Sequence, residues 1–163
     1  MSEPCLSHHL ARVPARDYRH VMRISDVIRR KGDLVVTVRS DATVQQLLDI
    51  LEQHHIGALV VSDDGSAVSG IVSERDVVRH LRTAGAGVLN QDVASIMTSV
   101  VETCTPDDGI EDLARTMTER RIRHIPVVAD GQLVGIVSIG DIVKWRIDEL
   151  QTERDQLVGY IQQ

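Results

Sequence analysis

The apolar residues Val44, Leu47, Leu48 and Leu51 fall at i, i+3, i+4 and i+7, the spacing that lines one face of an α-helix. Further along, Ile110, Leu113, Ala114 and Met117 repeat the spacing with smaller side chains. Asp41 or Thr43 before the first helix, and Asp107 or Asp108 before the second, are candidate N-caps. Behind each helix stands a β-rich run ("IGALVVS" or "HIPVVA"), then a polar turn with Asp-Gly ("DDGS" or "DGQ"), then a second run ("AVSGIV" or "LVGIV"). That order predicts a hairpin, with one extra turn residue in the first case. A closing helix starts near Ser73 and again near Ser138, and a leading strand ("LVVTV" or "SVVET") precedes each unit. The chain therefore reads strand–helix–strand–strand–helix, twice.

The two closing junctions are nearly the same text. "GIVSERDVV" at 70–78 and "GIVSIGDIV" at 135–143 agree at six of nine positions. A unit of about fifty residues buries too little surface to stand alone, so the two are expected to pack together. Their symmetry predicts a pseudo-two-fold axis and two related clefts. The expected layout is a polar extension over 1–20, a first repeat over 21–84, a connector with a short helix over 85–99, a second repeat over 100–146 and a helical extension over 147–163. Along the last helix Val143, Ile147, Leu150, Leu157 and Ile161 step by fours and threes once Arg154 is counted as an interrupted position. Such a stripe packs either on its own module or on a second subunit, and its length favours the subunit.

Composition narrows the partners. The 163 residues carry a formal charge of −6, no Phe, one Trp and two Tyr, a poor match to a nucleic-acid backbone or to stacked bases. No apolar run reaches the roughly 18 residues of a membrane span. Cys5 and Cys104 have no metal-binding or disulfide spacing, and the N-terminal residues hold Glu3 and Asp17 among several Arg without an apolar signal stretch. The expected compartment is the cytoplasm, with a mitochondrial presequence the weaker alternative. Sixteen Arg against Lys31 and Lys144 suit bidentate contacts to phosphate or carboxylate.

The repeated Ser and Asp admit two readings. Ser-x-x-Asp at a helix start forms a reciprocal cap, which stabilises a helix by about 0.5–2 kcal/mol and requires no ligand. The same junction also offers free amides and a positive dipole end to a phosphate, and a carboxylate to a ribose. His54 and His55 end a helix and lack ligand spacing with each other or with His8, His9 and His80, so they read as solvated residues.

"GIVSERDVV" and "GIVSIGDIV", with "RHIPVV" ahead of the second, resemble the tandem cystathionine-β-synthase (CBS) domain, or Bateman module, over about residues 25–146. The resemblance implies an α/β (α+β) fold of two intertwined β-α-β-β-α repeats that bind adenosine compounds: AMP, ADP, ATP, NAD(H) or S-adenosylmethionine. It assigns ribose hydroxyls to Asp76 and Asp141, and the ribose–phosphate region to Ser73 and Ser138. It assigns phosphate to Arg123 and His124, whose counterparts in the first repeat are Gly57 and Ala58, so the clefts are expected to differ. Arg121, Thr37, Ser40, Thr103 and Thr105 are further candidates, with Thr103 expected near Asp76 and Thr37 near Asp141. The function implied is regulatory, not enzymatic: a homodimer that reads an adenine nucleotide and signals to a partner protein. The alternative is a scaffold with empty clefts that works through its C-terminal helix.

Overall fold

The computed structural model describes residues 22–32 and 35–161. The elements are α1 (Ile24–Lys31), β1 (Thr37–Val38), α2 (Val44–His54), β2 (Ala58–Val61), β3 (Gly70–Ser73), α3 (Glu74–Ala84), α4 (Ile110–Arg120), β4 (His124–Ala129), β5 (Gln132–Ser138) and α5 (Ile139–Ile161), with 3-10 turns at Gly85–Asn90 and Val93–Ser95 between α3 and α4.

The amphipathic helices form where the periodicity places them, and their ends have local causes. Thr43 caps α2 through a reciprocal pair: Gln46 N–H donates to Thr43 Oγ1 at 3.2 Å, and Thr43 N–H donates to Gln46 Oε1 at 2.9 Å. Both helices stop on a left-handed residue at the equivalent place, His55 (φ 52°) and Arg121 (φ 56°). The cap of α4 departs from expectation. Gly109 is the N-cap, because the 108–110 backbone is bonded to the chain at 22–24 (Ile24 N–H to Asp108 O, 3.0 Å; Ile110 N–H to Met22 O, 3.2 Å). Asp108 instead accepts from Thr105 N–H at 2.7 Å, and Asp107 pairs with Arg23.

The strands are shorter than the apolar runs. β1 pairs in parallel with β2, and β2 antiparallel with β3, in one sheet. β4 and β5 form the second, closed by Asp130-Gly131 with both φ positive (51° and 77°), as a two-residue hairpin requires. The first repeat has no such turn. Asp64 holds a wider loop by accepting from Ser66 and Ala67 N–H at 2.8 and 2.7 Å. The leading strand expected at 99–103 is absent. Pairing there is a single parallel bridge from Cys104 to Val127, and Val100 is 91 % exposed.

The two repeats exchange the segments that precede them. Ile24 and Val27 of α1 are buried with Ile110, Met117, Ile125 and Trp145 of the second repeat. Val88, Val93 and Ile96, which lead into the second repeat, are buried with Val44, Leu47, Leu59 and Val72 of the first. Thr98 closes the exchange by a backbone pair with Ile71, each N–H donating at 2.9 Å. Gly70 permits that approach. A Cβ there would stand 2.6 Å from Met97 Sδ and 3.1 Å from the Thr98 carbonyl oxygen. α5 buries Ile142 and Trp145 against the module, packs Ile139 partly on it, and runs on with Val143, Ile147, Leu150, Leu157, Val158, Tyr160 and Ile161 exposed.

Candidate functional site

Each signature junction is a strand that turns directly into a helix. At the first, Asp76 Oδ2 accepts from Ser73 N–H (2.9 Å) and from the Ser73 hydroxyl (2.6 Å). At the second, Asp141 Oδ2 accepts from Ser138 N–H and its hydroxyl, both at 2.8 Å. The capping geometry is thus present twice. It uses one carboxylate oxygen, and among the described residues Asp76 Oδ1 has no hydrogen-bond donor, so a cap and a hydroxyl acceptor coexist in one side chain. The next residue of each helix is fixed to the facing strand by a matching bond, Glu74 N–H to Gly57 O (3.1 Å) and Ile139 N–H to Arg123 O (2.9 Å).

A cleft of about 460 Å³ opens at the first junction. It is lined by Ile71, Ser73, Asp76 and Arg79 of the first repeat with Gly57 and Ala58, by Thr98 and Val100–Glu102, and by Arg121–His124 of the second repeat. The cleft lies between the repeats, since both line it, and Arg123 and His124 stand at the strand position where the first repeat has Gly57 and Ala58, whose side chains are missing or small. Arg75, Arg79, Arg121 and Arg123 face Glu74, Asp76 and Glu102, and Glu102 is paired with Arg120. The lining thus presents excess guanidinium to an anionic ligand. His124 titrates below the ordinary histidine range because it is half-buried and because Lys31 and Arg123 are near, against the opposing pull of Asp141 and Glu74.

The second junction differs. Lys31, at the end of α1, donates to Asp141 Oδ2 at 2.9 Å and to the Ile136 carbonyl at 3.1 Å. Burial works to raise the Asp141 pKa; the Lys31 ammonium and the Ser138 donors outweigh it and hold the carboxyl below its usual range.

Of the residues singled out in the sequence, the first cleft brings together Ser73, Asp76, Arg121, Arg123 and His124. Ser138 and Asp141 sit at the second junction. Thr37 pairs with Val60 inside the first sheet, and the hydrogen-bond partners of Asp141 are Lys31 and Ser138. Ser40 is tied to Asp63 by backbone N–H (2.8 Å) and hydroxyl (3.1 Å), and Thr105 to Asp108. Thr103 does not line the cleft; Thr98 and Val100–Glu102 fill that place. Those residues were missed because the wall is not a strand and carries no periodicity. Arg79 had a signal, since it lies three residues after Asp76 on the same helical face. Cys104 is buried, its thiol pushed up to about 12 by burial and by Asp108. Among the described residues no three His, Cys, Asp or Glu converge, and no helix is long and apolar enough to cross a membrane; Cys5, His8 and His9 lie outside them.

Known proteins share this arrangement. The profile of the CBS domain matches residues 24–83 and 93–148. The "CBS domain-containing protein CBSX3, mitochondrial" of Arabidopsis thaliana is 37 % identical over 147 residues, 85 % of this chain and 71 % of that protein. The crystal structure of the CBS-domain containing protein ATU1752 from Agrobacterium tumefaciens superposes with a TM-score of 0.74 at 42 % identity, covering 77 % of this chain and 99 % of that one. The CBS domain pair of protein MJ0100, solved in complex with 5'-methylthioadenosine and S-adenosyl-L-methionine, superposes with a TM-score of 0.68 at 26 % identity, covering 76 % of this chain and 98 % of that one. Each of the two matched stretches begins in a segment that the other repeat buries and ends within a signature helix, and on that agreement the chain belongs to the CBS-domain family.

Proposed function

We propose that the chain is a regulatory module that binds an adenosine compound (AMP, ADP, ATP or NAD(H)) in the cleft between its repeats and passes the occupancy to a partner protein. The observation that carries this reading is that one cleft is lined both by Asp76, with one carboxylate oxygen undonated among the described residues, and by Arg121, Arg123 and His124. A ribose diol on the carboxylate and phosphates on the guanidinium groups fill both ends. The first cleft is the working one. At the second junction Lys31 already neutralises Asp141. MJ0100, whose CBS pair was solved with two adenosine compounds, supports the ligand class. The module works as a cytoplasmic homodimer, and its ligand shifts it between arrangements only as far as it binds one better than the other.

The test is a thermal-shift panel of AMP, ADP, ATP, NAD, NADH and S-adenosylmethionine on the wild type, Asp76→Asn, Arg123→Ala and Asp141→Asn. A ligand at a hundred times its dissociation constant adds about 2.7 kcal/mol, on the order of 5–10 °C for this size. The expected result is a rise that Asp76→Asn and Arg123→Ala abolish and Asp141→Asn keeps. A flat panel on the wild type overturns the reading. It would favour a scaffold acting through the exposed face of α5, the second reading that the structure offers.

A further inference from the structure

α5 leaves a stripe of Val143, Ile147, Leu150, Leu157 and Ile161 between 49 and 82 % exposed, on the face opposite Ile142 and Trp145, which the module buries. The stripe follows a heptad in which Ile147, Arg154 and Ile161 take one seam position and Val143, Leu150 and Leu157 the other. A buried arginine in the middle of a seam restricts what can cover it. In a parallel pair of copies each residue meets itself, and Arg154 meets Arg154 in the centre of the contact. In an antiparallel pair centred on Thr152 the two seam positions face each other, and every apolar seam residue except Leu150 meets an apolar one. Val143 meets Ile161, Ile147 meets Leu157, and Arg154 lies over Leu150 of the second copy.

The flanking positions agree with the antiparallel register. Arg146 comes beside Tyr160 of the second copy, a guanidinium against an aromatic face. Lys144 lays its stem along Val158, and Gln151 meets its own copy, amide to amide. The one like-charge meeting is Glu153 with Glu153, at the centre. Long side chains on a helix lean toward its N-terminus, so each Arg154 leans back toward Glu153 of the opposite helix, and the four charges alternate in sign. Among the described residues Arg154 pairs with its neighbour Asp155 at 2.7 Å, an exposed contact that is easily exchanged.

We propose that the face of α5 is covered by α5 of a second copy, antiparallel and centred on Thr152, over about 28 Å of helix. This deepens the dimer of the preceding reading by naming its surface and sense, and it is independent of the ligand. In a Cys5→Ser background, sedimentation of the wild type at micromolar concentration is expected to give twice the 18.0 kDa chain mass, and Leu150→Asp/Leu157→Asp the single mass with an unchanged circular dichroism spectrum and melting cooperativity of the module. Chains carrying Ile147→Cys mixed with chains carrying Leu157→Cys are expected to join through a disulfide under mild oxidation, and Ile147→Cys chains alone to stay unjoined. A monomeric wild type, or a dimer indifferent to the double Asp variant, overturns the surface. Joining of Ile147→Cys chains to each other overturns the sense. The thermal-shift panel decides the nucleotide reading separately, because Ile147, Leu150 and Leu157 do not line the cleft.

Discussion

The Lys31 ammonium and the Asp141 carboxylate stand 2.9 Å apart, although 110 positions separate them in the chain. The contact ties the exchanged helix α1 to the second signature. Its electrostatic worth is modest, since the side chains are 43 % and 23 % exposed. Lys31→Met, which keeps the stem, is expected to cost about 0.5–1 kcal/mol near neutral pH. A carboxyl held low in the folded state contributes stability above its unfolded pKa of about 3.9 and loses it as pH falls through the folded value. The gap between variant and wild type in urea unfolding should therefore close below about pH 4. On the proposed function, Lys31→Met also frees Asp141, and calorimetry with the ligand found in the thermal-shift panel should show a second, weaker binding event that the wild type lacks. A gap that persists in acid excludes the ion pair as its cause.

His124 gives the opposite end of the pH range its own signature. Its folded pKa lies below 6.5, chiefly through burial, so the unfolded chain binds the proton more readily. Stability should fall as pH drops below about 6.5 and level off once the folded histidine also protonates. His124→Gln is expected to flatten the profile between neutral pH and that plateau. The check is the urea midpoint across that range, and an unchanged slope in the variant would assign the dependence to another group.

The two signature glycines should not respond alike to alanine. At Gly70 a new methyl presses on the Thr98 backbone carbonyl at 3.1 Å as well as on Met97, whereas at Gly135 it meets the side-chain end of Ile28 at 3.0 Å. A side-chain end can retreat and a paired backbone cannot. Gly70→Ala is expected to destabilise by about 1–3 kcal/mol and Gly135→Ala by less, measured by chemical unfolding.

With its thiol near pKa 12 and its sulfur buried, Cys104 should be inert to a thiol reagent at pH 8 while the protein is folded. In a Cys5→Ser background the folded protein should show no fast-reacting thiol, and one should appear in guanidinium. Rapid labelling of the folded chain would mean that the contact between Cys104 and Pro126 opens on its own.

The repeat, the helices and the Ser-Asp junctions were legible because each is written locally: apolar positions three and four apart, a turn dipeptide, a nine-residue phrase used twice. Arg123 and His124 stood out by comparison with Gly57 and Ala58. What the sequence did not disclose depends on contacts between distant segments. Nothing in "SVVET" distinguishes a strand from an exposed cleft wall, since β-branched residues suit both, and the outcome rests on Cys104 alone reaching β4. The cap at Gly109 in place of Asp107 or Asp108 likewise follows from the approach of residues 22–24. Lys31 was visible only as one of two lysines, with no local sign that it would meet Asp141.

The exchange of leading segments also sets a timetable for synthesis. The first repeat can close its core once Val93 and Ile96 have left the ribosome, well before the second repeat is complete. The apolar face of α1 must wait, because the residues that bury Ile24 and Val27 extend to Trp145. At roughly 5–20 residues per second that is a delay on the order of 6–24 s. Over the last part of it, after Ile96 and for roughly 2–10 s, the nascent chain carries a finished half and an unsatisfied helix in front of it, a stage at which a chaperone, or a neighbouring nascent copy offering its own second repeat, has the opportunity to intervene.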